Sequence, residues 1–269
     1  MLTPIRALAQ RGDEGALLPR VKAFEPLYRL GCHPRRGDLI MIAGRSGSQK
    51  SGLALYWTAA MGLPTLYLSA DMQRVTASAR LAAMGSGDTF EEVSKAIQSG
   101  DMPSRYAEKL AGLPMTFSFD SPITWDGLDA ELDAFVELHN EYPSVIVVDN
   151  LMDIAEAESD YAAQMAAMAS ITELGRATGA AVFVLHHASD KTWSKVDPWL
   201  PPSRSEIKGG LSEKPTITLT VALHPDDLTY RVAVVKNRSG PCDPSGQTYA
   251  LLWADPARTR FYDHSPLNR

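Results

Sequence analysis

Short unbroken apolar runs alternate with longer amphipathic stretches over the first two thirds of the chain. Runs at 39–43, 64–69, 115–119, 144–149 and 180–185 read as strands. The fourth, with Val145, Ile146, Val147 and Val148 before Asp149, has no polar break, which suits a strand buried on both faces of a parallel sheet. Residues 53–61, 73–84, 89–98, 104–111, 125–140 and 161–178 read as helices. In 125–140, Leu128, Leu132, Phe135, Val136 and Leu138 recur at helical spacing. The last third changes period: 216–223, 230–235 and 247–253 alternate as antiparallel strands joined by tight turns. Ahead of them, 188–215 contains Pro198, Pro201, Pro202, Gly209 and Gly210 and reads as a long loop, a type of segment that tends to be functional in compact domains. The pattern predicts an α/β fold, with a mostly parallel central sheet flanked by helices and extended by C-terminal antiparallel β-hairpins. The simplest division is one domain over 31–269 after a basic arm or linker at 1–30.

Composition acts on this picture mainly by exclusion. A formal net charge of −6 gives no global sign of nucleic-acid binding, so a DNA role needs a local basic surface. Residues 1–36 carry seven Lys/Arg against Asp13, Glu14 and Glu25, which suits a solvated arm, or one that grips a neighbouring subunit or a nucleic acid. No signal peptide is visible, and no apolar run approaches the roughly 20 residues of a membrane helix. Cys32 and Cys242 are far apart and form no metal-type spacing, as expected of a soluble protein in a reducing cytoplasm.

Candidate chemistry gathers at the strand ends. The run 39–43 breaks at Gly44 into Arg45, Ser46, Gly47, Ser48 and Gln49, and Lys50 and Ser51 open the first amphipathic helix. Strand, small-residue loop, Lys-Ser and helix make a phosphate cradle: backbone N–H groups face the anion, the lysine reaches the terminal phosphates and the hydroxyl ligates Mg²⁺. Gln49 stands where the G-x-x-x-x-G-K-[ST] pattern has its second glycine, and is strained if its φ is positive. Asp149 suits a metal-supporting carboxylate working with Ser51, or a helix N-cap. Asp71 suits a base that orients an attacking water, or again an N-cap. His187 suits a γ-phosphate sensor, while His186 points to the opposite face of an extended chain, so the pair fits one metal poorly. Lys236 and Arg238 project on one side of the strand end after 230–235. They suit insertion into a neighbouring subunit's nucleotide site, or a solvated turn. Lys191, Lys195, Arg204 and Lys208, with Trp193 and Trp199 as stacking platforms, suit a single-stranded DNA contact or an ordinary mixed-charge loop.

In order and spacing these stretches resemble the C-terminal motor domain of the DnaB-type replicative helicases, within the RecA-like ATPase superfamily, over residues 24–261. Arg36, Gly37, Asp38, Leu39 and Ile40 with the phosphate loop are similar to that family's approach and Walker A motif. Leu68, Ser69, Ala70, Asp71 and Met72 resemble its Ser-Leu-Glu-Met motif. Asp149 falls on the Walker B aspartate and His187 on the sensor glutamine. Ser205 to Gly210 resembles its Asp-Leu-Arg segment, and Lys236 to Pro241 its Lys-x-Arg finger and turn. The resemblance implies a RecA-like core, ATP and Mg²⁺ as cofactors, and a homo-oligomeric ring such as a hexamer. It also implies hydrolysis at subunit interfaces and action on single-stranded DNA beside replication or recombination proteins. Lys50 and Ser51 then hold phosphate, Ser51 and Asp149 serve the metal, Asp71 orients water, His187 senses the γ-phosphate, and Lys236 with Arg238 completes the next subunit's site.

The departures carry expectations of their own. Gln49 replaces a glycine, Asp71 a glutamate one methylene longer, and His187 a glutamine, which favours ATP binding over fast hydrolysis. Residues 120–160 hold twelve Asp/Glu and no Lys/Arg, including Asp153, Glu156, Glu158 and Asp160 where the resemblance places a channel loop; such a loop repels phosphates. The length leaves no room for the family's N-terminal helical domain, and a stand-alone motor with drifted motifs is similar to what phages and mobile elements carry. Two other readings use the same residues: a DNA nuclease on this scaffold, and a nucleotide-gated assembly or loader protein with little turnover.

Overall fold

A computed structural model describes residues 5, 13–100, 104–155, 157, 160–189, 197 and 199–265. Within them nine strands form one sheet, in the order β3-β2-β4-β5-β1-β6-β7-β8-β9. The strands are β1 Leu39–Gly44, β2 Thr65–Ser69, β3 Met115–Ser118, β4 Val145–Asp149, β5 Ala181–His187, β6 Ile217–Leu223, β7 Thr229–Asn237, β8 Tyr249–Asp255 and β9 Arg260–Tyr262. The helices are α1 Glu25–Arg29, α2 Lys50–Met61, α3 Arg74–Ser86, α4 Phe90–Gln98, α5 Ser104–Ala111, α6 Trp125–His139 and α7 Tyr161–Thr178.

The unbroken apolar runs become the parallel half because both faces of those strands are covered. On one face Ile40, Ile42, Val145, Val147, Phe183 and Leu185 join Leu53 and Trp57 of α2. On the other, Met41, Ile146, Val148, Val182 and Val184 join Leu132 and Phe135 of α6 and Met168 and Ile171 of α7. Ala79, Ala82 and Ala83 of α3 make a small satellite core with Val93 and Tyr106. α6 forms where predicted: the Thr124 hydroxyl accepts from Gly127 N at its start, and Asn140 adopts a left-handed φ of 57° just past its end.

Four features differ from the sequence expectations. Residues 18–30 are not a solvated arm: Leu18, Val21, Phe24, Leu27 and Tyr28 belong to the α2-side core, and Phe24 packs on Trp57 at 4.6 Å between ring centroids. The flanking Arg20, Lys22 and Arg29 mask this apolar set in a charge count, although losing one such buried aromatic typically costs about 3–5 kcal/mol. β6 is not purely part of an antiparallel ribbon. It pairs parallel with β1, from Ile40↔Ile217 to Gly44↔Val221, and antiparallel with β7 on its other edge. It is the strand at which the sheet changes direction. β9 has only three residues, too few for a visible alternation, yet its Phe261 closes over Tyr56 and Tyr230. The loop after β5 is also more ordered than expected where described, with 3-10 turns at Arg204–Glu206 and Lys208–Glu213.

Candidate functional site

The carboxyl ends of β1, β4 and β5 lie side by side, and the loop after β1 runs across them into α2. Gly44 has to be glycine: a Cβ there would stand 2.5 Å from Ser48 Oγ and 2.8 Å from Val221 Cγ2. Gly47 turns the loop with φ 75°, and Gln49, at the α2 N-cap, has φ 58° and ψ 32°. The substituted glycine position is therefore left-handed, and Gln49 carries the strain expected of a side chain there. The loop holds its curvature through Ser48 N, which donates to the Arg45 carbonyl (3.2 Å). Lys50 Nζ donates to that carbonyl as well (3.2 Å), arching back over the loop.

Across from the loop, Asp149 is buried at the end of β4. Ser51 Oγ donates to its Oδ1 (3.1 Å), and the Tyr67 phenol donates to its Oδ2 (3.0 Å). Burial pushes the Asp149 carboxyl up to about 6; the Ser51 and Tyr67 hydrogen bonds and the nearby Lys50 oppose that rise, while Asp71 adds to it. The Asp149–Asn150 peptide is cis, and Asn150 then caps the short turn Leu151–Asp153. The arrangement fits magnesium-bound nucleotide. It offers one hydroxyl and one carboxylate, as Mg²⁺ sites that borrow ligands from phosphates and water do. It also has a loop whose first glycine leaves no room for a side chain, and a buried Ser48 hydroxyl with no partner among the described residues.

His187 stands half-buried opposite Gly44 and on the Asp149 face of the sheet. Burial first, then Lys50 and Lys208, hold its ring below the usual range, while Asp71 and Asp153 pull the other way. Lys50, Asp71, Asp149 and His187 thus share one electrostatic neighbourhood. Asp71 is exposed just past β2 and does not cap α3, whose N-cap is Gln73. His186 faces the opposite side. Its Nε2 donates to the Lys208 carbonyl (3.0 Å), its Nδ1 is buried without a partner among the described residues, and burial lowers its pKa to about 4. The two rings therefore part, and among the described residues no group of three or more His, Cys, Asp or Glu is placed to hold a metal ion.

Lys236 and Arg238 lie elsewhere. β7 runs antiparallel to β6, so Asn237 pairs with Ile217, four residues below the Val221 level of Gly44, or about 13 Å along the strands. There Lys236 Nζ donates to the carbonyls of Ser212 and Glu213, and Arg238 to those of Glu213 and Lys214. Burial and the neighbouring Arg238 and Arg204 lower Lys236 to about 8. Arg204 turns inward to the Ser212 hydroxyl (3.0 Å), and the side chain of Lys208 is exposed. Lys191, Lys195 and Trp193 lie outside the described residues, as do Glu156 and Glu158. Trp199 is half-buried against His224, with ring centroids 5.6 Å apart. Of the acidic residues after β4, Asp160 caps α7 through Ala163 N, and Asp153 accepts from Asn150 N. Both are committed to local backbone.

A sequence model of the AAA domain matches residues 23–192, which span the phosphate loop, β4 and β5. The chain belongs to the AAA domain family. This AAA-domain chain is 33% identical over 261 residues to the Gene 65 protein of Mycobacterium phage L5, covering 94% of the chain and 95% of that protein. It is 29% identical over 237 residues to the Gene 65 protein of Mycobacterium phage D29, covering 84% and 100%. The phage setting expected from the drifted motifs agrees with these relatives. Its fold matches the structure of a DnaB-like replicative helicase, solved with regard to its interactions with primase, at TM-score 0.77 and 14% identity. That match covers 91% of the chain, which spans 63% of the helicase's length. A second solved structure, an isolated ATPase domain, matches at TM-score 0.77 and 14% identity (96% and 95% covered). The RadB recombinase matches at 0.58 and 15% (89% and 97% covered). At these identities the likeness establishes the RecA-like fold of the AAA-domain chain.

Two side chains at the site were missed in the sequence. Tyr67 stands between Leu66 and Leu68, two residues before the end of β2, and its parity on the Asp149 face was the available signal. Glu206 pairs with Arg45 of the phosphate loop (2.8 Å) from 161 positions away, and Arg45 also donates to the Leu200 carbonyl (3.1 Å). Nothing in the local pattern foretells this contact.

Proposed function

We propose that this AAA-domain chain is a magnesium-dependent ATP hydrolase that forms a ring of identical subunits and acts on DNA in replication or recombination. The observation that carries the reading is the 3.1 Å contact between Ser51 and Asp149, which joins the phosphate loop to a buried strand-end carboxylate across 98 positions of sequence. Gly44 to Ser51 hold the phosphates, with Lys50 reaching the terminal groups. Ser51 and Asp149 hold the metal, which supplies charge neutralisation at the transferred phosphoryl group when bound. Asp71, exposed on the same edge, orients the attacking water, and His187 contacts the γ-phosphate. Lys236 and Arg238 are too far along the sheet to serve their own cradle, which supports their use in a neighbouring copy's site. Single-stranded DNA is the proposed track, contacted by Lys191, Lys195, Arg204 and Lys208.

The test is ATP turnover by the wild-type protein and by Lys50→Ala, each with and without single-stranded DNA. Turnover that DNA stimulates, and that Lys50→Ala reduces by roughly 10²-fold or more, is the expected result. ATP binding with no phosphate release in the wild type would overturn the motor and leave a nucleotide-gated assembly protein. Metal-dependent DNA cleavage that survives Lys50→Ala would point to a nuclease.

A further inference from the structure

Tyr67 lies in β2, next to β4 and in register with Val147, so its ring occupies the same sheet face as Asp149, two residues further along β4. It is among the largest fully buried side chains of the protein. The ring stacks on Phe117 at 5.2 Å, and Phe117 in turn stacks on Phe119 at 5.6 Å, so the tyrosine is fixed laterally by β3. Its phenol reaches past the aliphatic core to one atom, Asp149 Oδ2, at 3.0 Å. The other oxygen of that carboxylate faces Ser51. A carboxylate with one oxygen anchored can rotate little, and which oxygen faces the phosphate loop is then decided by the anchor.

We propose that Tyr67 is a positioning residue for magnesium: its phenol pins Asp149 Oδ2 within the core, so that Oδ1 is presented beside Ser51 to the metal and its water. The inference rests on the nucleotide-binding reading above and goes beyond it, because it assigns metal affinity to a residue that touches neither phosphate nor metal. Outer partners that orient a metal-supporting carboxylate typically contribute 10- to 100-fold to metal affinity. A different role is also physically reasonable. Asp149 could serve Tyr67, satisfying a hydroxyl that would otherwise be buried unpaired. The two roles differ in what removal of the hydroxyl does. In the first it weakens magnesium; in the second it leaves magnesium alone and relieves a polar atom.

Tyr67→Phe keeps the ring and its stack on Phe117 while deleting the donor. Binding of a fluorescent ATP analogue is followed by anisotropy against increasing Mg²⁺, and again in excess chelator, for wild type, Tyr67→Phe and the packing control Phe135→Leu on the opposite face of the sheet. The expected result is a rise of about 10-fold or more in the Mg²⁺ concentration for half-maximal binding in Tyr67→Phe. Binding in chelator should be unchanged, and the half-maximal concentration unshifted in Phe135→Leu. In an Asp149→Ala background, Tyr67→Phe should add nothing, because the tyrosine acts through that carboxylate. A Tyr67→Phe protein that folds and titrates like wild type would overturn the proposal and leave the nucleotide site standing. Wild-type binding indifferent to both Mg²⁺ and Lys50→Ala would overturn the nucleotide-binding reading itself. If Tyr67→Phe does not fold, Tyr67→Met fills the space without a donor and is read against the same two outcomes.

Discussion

At the carboxyl edge of β1, β4 and β5, Lys50, Ser51, Asp149 and His187 are buried or half-buried, and the Lys50 charge acts on both the Asp149 carboxyl and the His187 ring. At the opposite edge, Lys236 and the exposed Arg238 end on main-chain carbonyls of residues 212–214. In the first set, side chains from β2 and α2, Tyr67 and Ser51, tie Asp149 in place, and Lys50 arches onto the Arg45 carbonyl. The second is held by one turn. On the proposed reading, this difference separates two tasks. A cradle that must organise a metal and phosphates is built inside one chain, where parallel strands bring distant residues to one line. A cation that must withdraw or enter with a neighbour's movement sits on an exposed edge, tied by hydrogen bonds that water can replace.

The sharpest way to break this comparison is to ask whether the two edges work in the same molecule. On the proposed reading, Arg238→Ala leaves ATP binding intact and lowers turnover by about 10³-fold, the lower end of what an inserted arginine contributes. Lys50→Ala lowers turnover as well, at the other edge. Mixed in equal amounts, the two inactive proteins should regain activity, because about a quarter of ring interfaces would pair an intact cradle with an intact finger. No recovery on mixing, with oligomers shown to exchange subunits, would place both edges in one copy's task and sink the division.

How far the two edges could be read from sequence differs for the same physical reason. The parallel half was legible because strands covered on both faces must be apolar at every position, and the ends of such runs mark the chemistry: Gly44, Asp149 and His187 all fall there. The rest depended on contacts that periodicity does not encode. Phe24, Leu27 and Tyr28 are spaced among charges that hide a core segment. β6 has the alternation of a hairpin strand, yet its parallel edge against β1 is decided by where the chain returns after residue 189. Arg45 and Glu206 meet only because the loop after β5 folds back over the phosphate loop. Tyr67 looked like one more strand residue until Asp149 appeared beyond its hydroxyl.

Burial at the cradle also makes a prediction about stability. In the fold the Asp149 carboxyl titrates at about 6 rather than 3.8. A raised acid stabilises the fold most below about pH 4, and that contribution is lost as pH rises through about 6, where the buried group must ionise. Two units correspond to roughly 3 kcal/mol at most, so the nucleotide-free protein carries this burden at neutral pH. His186 works in the opposite sense: held neutral with a pKa of about 4, it supports the fold above its ordinary 6.5 and ceases to as pH falls toward 4. The two slopes offset each other in the wild type and separate in variants. Asp149→Asn should be more stable than wild type at pH 7.5 by about 1–2 kcal/mol, after the loss of one acceptor to Ser51 or Tyr67, and should show no such gain at pH 4.5. Denaturant unfolding at the two pH values measures it. An equal difference at both would show that Asp149 is not the burdened group.

The smallest expected effect tests whether the cradle itself stores strain. Gln49 holds φ 58° at the start of α2 and makes no capping hydrogen bond with its side chain. A left-handed conformation costs a residue with a Cβ roughly 1–2 kcal/mol, and glycine is largely exempt. Glycine also has more freedom to lose on folding, which returns part of that gain. Gln49→Gly should therefore stabilise the protein by about 0.5–1 kcal/mol, read as a shift in the urea midpoint with an unchanged slope. The side chain has one visible contact that complicates the exchange: its Oε1 lies 3.1 Å from where a Cβ on Gly52 would stand, so it covers the first turn of the helix. If that cover matters more than the backbone, Gln49→Gly loses stability, and the glutamine is then a fitted part of the loop rather than a tolerated replacement. Nucleotide affinity separates the cases further. Relief of strain alone leaves it level, whereas loss of a fitted cover over the start of α2 weakens it along with the fold.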